Sequence, residues 1–85
     1  MYVIKALFRV DPNAYTVQEF VLNKESQWVI ATGDAIMFYN VESAVNFAKG
    51  SKIIESLSRL GSGSMPYIVG PRGGKYSIFT GRLLK

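Results

Sequence analysis

Tyr2-Val3-Ile4-Lys5-Ala6-Leu7-Phe8-Arg9-Val10 sets the fold class of this chain. Tyr2, Ile4, Ala6, Phe8 and Val10 share one side of the stretch, and Val3, Lys5, Leu7 and Arg9 share the other. Side chains of a strand alternate between two faces, so this is a strand with a fully apolar inner side that must lie against a core. Lys5 and Arg9 also break any secretory-signal core. No apolar stretch in the chain reaches the roughly 20 residues that span a bilayer. The expectation is a cytoplasmic protein with no membrane partner.

Working outward, Asp11-Pro12-Asn13 reads as a turn, because proline presets φ and the flanking Asp and Asn bond their own backbone. Residues 15–22 supply a second β-rich run that pairs with the first as a hairpin. A helix capped by Asp11 is the alternative for this run; the Tyr, Thr, Val and Phe content favours the strand. Residues 28–32 and 36–39 read as two short strands flanking Gly33-Asp34, with Trp28 and Phe38 as core residues. Asn40 is placed as a helix N-cap, with Glu42 in the first turn where the helix dipole favours an acid. Val41, Ala44, Val45 and Ala48 recur at helical spacing, as do Ile53, Ile54, Leu57 and Leu60. Gly50-Ser51 between the two sets predicts either two helices or one kinked helix. After the flexible Gly61-Ser62-Gly63-Ser64, residues 66–69 and 75–80 flank Gly70-Pro71-Arg72-Gly73-Gly74, a strong hairpin signal. Segregated strands around one helical region predict a single α+β domain over residues 1–85. Its sheet is mainly antiparallel, of four to five strands, with a kinked or broken helical region on one face.

Composition narrows the function. Among 85 residues, 48% are apolar and 19% charged, which is enough for one packed core in a domain that buries about 60% of its unfolded surface. Cysteine and histidine are both absent, removing disulfides, thiolate metal sites and the commonest acid/base group and metal ligand. The net charge of +4 is unevenly spread. Residues 1–43 carry three cations against five carboxylates, a net of −2, whereas residues 44–85 carry seven cations against Glu55 alone, a net of +6. A basic half attracts nucleic acid, acidic protein or an anionic surface, and is also the usual form of a solvated face.

The glycine-rich runs fail as nucleotide motifs. At 70–75 a P-loop would need glycine where Val69 stands and Ser or Thr where Tyr76 stands. Gly61-Ser62-Gly63 lacks the rest of a dinucleotide fingerprint. The carboxylates are scattered over turns and a helix start, and no Ser-x-x-Lys spacing occurs. The chain therefore reads as a non-enzyme without cofactor or metal. The constellation with functional texture is the C-terminal hairpin, where Tyr67, Arg72, Lys75, Tyr76 and Arg82 accompany Phe79 and Lys85. Aromatics there can stack on bases while cations meet phosphates. The same residue types also suit strands and protect an exposed sheet edge.

Tyr2-Val3-Ile4-Lys5-Ala6 near the start, with Phe38-Tyr39-Asn40-Val41-Glu42-Ser43-Ala44 leading into a helix, resembles short uncharacterised bacteriophage and prophage α+β proteins. The resemblance covers the first half and implies a small accessory protein that binds a host protein as modulator or inhibitor. The expected function is a protein-binding module, with the C-terminal hairpin as contact surface. A small basic nucleic-acid binder using that hairpin, and a structural homo-oligomer, are the alternatives.

Overall fold

Alternation in the first strand becomes pairing on both of its edges. In the computed structural model, which describes residues 1–9, 17–30, 32–51 and 66–84, β1 (Val3–Arg9) lies at the centre of a five-stranded antiparallel sheet. Its neighbours are β2 (Val17–Leu22) on one side and β4 (Pro66–Val69) on the other. The short β3 (Trp28–Val29) and β5 (Lys75–Ser77) complete the order β3-β2-β1-β4-β5. Lys5 stands opposite Val21 in one ladder and opposite Tyr67 in the other. Over residues 17–22 the chain is strand, and the helical alternative is excluded there. Pro66 occupies the first position of β4, where a residue without an N–H costs the ladder least.

Ile4 and Ala6 of β1 face the interior, as the alternation predicts. Ile4 and Ala6 are fully buried, and Ile4 packs with Leu22 of β2 and Ile68 of β4. Onto these is laid α1 (Val41–Ser51), through Ala44, Val45 and Ala48. Two alanines on the contact stripe let the helix axis approach the sheet closely. Phe47 tilts against Phe38 with ring centroids 5.4 Å apart. Burying each of Ile4, Leu22 and Ile68 contributes about 1.5–3 kcal/mol. Asn40 caps the helix as its side chain predicts, the Oδ1 accepting from Ser43 N–H at 2.8 Å.

One sequence expectation needs correction. Residues 36–39 form no strand. A 3-10 turn at Thr32–Asp34 redirects the chain, and single bridges then join Ala35 to Asn23 and Phe38 to Tyr2. The segment ties the end of β2 to the start of β1 and drops Phe38 into the core, so its alternation reflects burial without a ladder. At Gly50-Ser51, where the sequence allowed either a helix end or a kink, the described helix includes both residues. Residues 52–60, where a kink or second helix was expected, lie outside the described residues, as do Val10 and residues 15 and 16. Phe38 is buried, as expected of a core residue, and Trp28 is half-buried against the core.

The β2–β3 connection is built on one residue. Asn23 is buried, and its Oδ1 accepts from Glu25 N–H at 3.0 Å and Gln27 N–H at 2.8 Å. Its own N–H donates to Gln27 O and its carbonyl accepts from Ser26 N–H. These four bonds hold Ser26 at φ 61°, a left-handed conformation that costs a non-glycine residue roughly 1–2 kcal/mol. Asn23→Ala should therefore destabilise the domain by about 1–3 kcal/mol, because two amides lose their acceptor, and a denaturant titration checks it. In the opposite direction, a Cβ at exposed, helical Gly50 meets nothing within 4 Å. Gly50→Ala is expected to stabilise by about 0.5–1 kcal/mol, read as a higher unfolding midpoint.

Candidate interaction surface at the C-terminal hairpin

β4 and β5 form the hairpin expected from the glycine-rich loop, with Val69 opposite Lys75 and Tyr67 opposite Ser77. Gly70 N–H donates to Gly74 O at 2.9 Å, and Gly73 N–H donates back to Gly70 O at 3.0 Å. Gly73 sits at φ 83°, the left-handed position a three-residue return requires. Gly70 is needed for space: a Cβ there would lie 3.1 Å from the rings of both Tyr2 and Tyr76. Pro71 and Gly73 bracket Arg72, which is exposed at the loop tip.

Strand β5 is shorter than expected, because the chain turns at 78–80. Ser77 organises this turn. Its Oγ accepts from Phe79 N–H at 3.2 Å and Thr80 N–H at 3.3 Å, and its carbonyl accepts from Gly81 N–H at 2.9 Å. Gly81 has φ 73°, and Arg82 N–H donates to Thr80 Oγ1. The tail then runs back along β5, with Ser77 N–H bonded to Arg82 O, Leu84 N–H bonded to Lys75 O, and a bridge between Tyr76 and Leu83. The outer edge of β5 is thus covered by the chain's own last residues, and Phe79, Leu83 and Leu84 stay about half exposed or more on a hydrogen-bonded backbone.

The hairpin aromatics are engaged elsewhere. Tyr67 is only 8% exposed. It lies on the sheet face opposite the α1 core, where its hydroxyl donates a long 3.3 Å bond to Glu19 Oε2. Glu19 also pairs with Lys5, with Nζ 2.9 Å from Oε1. Lys75 Nζ lies 5.2 Å from the centre of the Tyr67 ring, within cation–π range. Four strands thereby contribute to one row of side chains, from Glu19 on β2 to Lys75 on β5. Tyr76 lies on the core face, half-buried, its ring edge-on to Tyr2 at 5.7 Å. Arg72, Lys75 and Arg82 are exposed, as cations in a contact surface must be. Sequence reading missed Lys5 and Glu19 as partners of Tyr67. Alternation relates residues within one strand only, so it is the register of the ladders that puts all three on one face and within reach.

A concavity of about 680 Å³ lies where β2 ends, lined by Met1, Asn23, Glu25, Asp34, Met37 and the highly exposed Tyr39. Among the described residues no three Asp, Glu, His or Cys side chains are grouped to hold a metal ion. No described helix is long and apolar enough to cross a membrane.

The Glu19 row predicts two pH effects of opposite sign. The Lys5 ammonium, bonded to Glu19, holds that carboxyl below its ordinary range. Its contribution is therefore present above about pH 4.3, the unfolded value, and fades as pH falls through the lower folded value. Burial, aided by the Glu19 carboxylate, pushes the Tyr67 phenol up. The protonated phenol thus supports the fold below about pH 10, and that support is lost as pH rises through the higher folded value. Stability measured against pH should flatten on the acid side in Glu19→Gln and on the alkaline side in Tyr67→Phe. The acid-side effect should stay below about 1 kcal/mol because Glu19 is half exposed.

No family model, curated protein or solved structure matches this chain.

Proposed function

We propose that this chain is a non-enzymatic protein-binding module whose contact surface is the C-terminal unit of β4, β5 and the tail to Leu84. One observation carries the reading. Phe79, Leu83 and Leu84 are 53%, 61% and 48% exposed, yet the backbone N–H groups of Phe79 to Arg82 and of Leu84 are all hydrogen-bonded. Large apolar side chains held outward on an ordered backbone lose little conformational freedom on binding, which is what makes an anchor effective. Arg82, next to Leu83 in the chain, and Arg72, exposed at the hairpin loop, belong to the residue type enriched at energetic centres of interfaces.

Nucleic-acid binding gains less support from the same unit. Base stacking needs open aromatic faces, whereas Tyr67 is buried with its hydroxyl on a carboxylate and Tyr76 is packed on Tyr2. Among the described residues of the unit, Phe79 is the exposed aromatic. The resemblance to bacteriophage proteins extends the proposal to its setting: the partner is a host protein, which the module modulates or inhibits.

Affinity capture from bacterial lysate, with and without nuclease, tests the reading against a Phe79→Ala/Leu84→Ala variant. The wild type should retain a protein after nuclease treatment. Truncation of the anchors should cost about 2 kcal/mol or more, read as loss of the captured band, while the unfolding midpoint stays near that of wild type. Capture that vanishes with nuclease, or that is indifferent to the two truncations, would sink the proposal.

A further inference from the structure

Resting on the protein-binding reading above, we infer that the partner presents an acidic amphipathic segment, carboxylates alternating with apolar residues, that grips the C-terminal tail along the edge of the sheet. Charge carries the first half of the argument. No Asp or Glu follows Glu55 in the sequence, so the hairpin and tail hold Arg72, Lys75 and Arg82 with no acidic side chain among them. Glu19, on the same sheet face as Lys75, is committed to Lys5 and Tyr67. Among the described residues neither Arg72 nor Arg82 has an acidic partner. Glu42 of α1 lines a concavity with Phe79 and Thr80, so the uncompensated cations are those of the hairpin loop and tail. Apolar groups set among carboxylates are complementary to the leucines there, and such matching both steers encounter and rejects basic partners.

Geometry carries the second half. The tail is extended against β5, with Leu83 bridged to Tyr76 and Leu84 bonded to Lys75 through its N–H. Consecutive residues of an extended chain point to opposite faces. Leu83 accordingly lies on the side of Tyr76 and Gly74, 3.4 Å from where a Gly74 Cβ would be, while Leu84 lies on the side of Lys75. Two exposed leucines on opposite sides of one edge cannot both enter a flat bilayer surface. A polypeptide can close on the edge from both sides. Leucine also offers no ring for a nucleobase to stack on, which disfavours a single strand of nucleic acid as the occupant.

The test is an amide-resolved NMR titration of the 15N-labelled chain. Its probes are a short peptide alternating Glu with Leu, the same peptide with Lys in place of Glu, oligothymidylate, and vesicles of mixed phosphatidylglycerol and phosphatidylcholine. The acidic peptide should shift the amides of Arg72 and of Phe79 to Leu84 and bind at least about tenfold tighter than the basic one. Arg82→Glu should narrow or reverse that preference, and Arg72→Glu at the loop tip provides the same readout if Arg82→Glu disturbs the fold. Equal binding of the two peptides at the C-terminal surface would leave the protein-binding reading standing and overturn the acidic partner. Peptide shifts confined to the groove at Met37 and Tyr39, or binding of the C-terminal surface to oligothymidylate or vesicles but to neither peptide, would overturn both.

Discussion

Everything else in the fold depends on β1 being paired along both edges while Ile4 and Ala6 are sealed on one of its faces. A central strand satisfies its backbone groups through two ladders, so a register slip of one residue would turn Ile4 and Ala6 out of the core and Lys5 into it. That penalty is what holds β2 and β4 in place, and through them the short strands at either side. The helix adds the lid. Ala44 and Ala48 are small enough to bring α1 down on Ile4 and Ile68, and the Asn40 cap fixes where the helix begins.

The same alternation decides which side chains the surface can offer. Along β4 and β5, Ile68 and Tyr76 go to the core face, while Tyr67 and Lys75 go to the other. Tyr67 then bonds to Glu19 and Tyr76 packs on Tyr2, so both tyrosines of the hairpin are engaged with neighbouring side chains. What remains outward are the cations and the apolar residues of the turn and tail. Their order comes from Ser77, whose hydroxyl and carbonyl between them accept three backbone amides. Covering the edge of β5 with the chain's own tail also removes a site for uncontrolled strand pairing. The apolar exposure that persists there is therefore confined to side chains, with the backbone already paired.

At the other end of the sheet, Asn23 has a comparable role. One buried amide side chain closes the β2–β3 connection, and the neighbouring segment then links β2 to β1 through the Ala35 and Phe38 bridges. The fold is thus tied at both ends by short polar residues that accept backbone N–H groups, a role that needs little volume and leaves the core apolar.

Period-two alternation in residues 2–10, the helical spacing of Val41, Ala44, Val45 and Ala48, the Asn40 cap and the glycine-rich hairpin were all legible in the sequence by itself. Each is a local property, set by backbone geometry within a few residues. The sequence also determined the charge of the C-terminal half, since no acid follows Glu55. Tertiary structure alone decided that residues 36–39 make bridges in place of a strand, because two separated strand ends have to be joined there. It alone decided that Glu19, Lys5, Tyr67 and Lys75 meet, because their contact depends on the register of three ladders between residues far apart in the chain. And it alone separated exposed Phe79, Leu83 and Leu84 from buried Tyr67. Alternation assigns residues to two faces without saying what covers either, so which aromatic is buried and which is exposed is settled only when the elements pack and the turn at 78–80 closes.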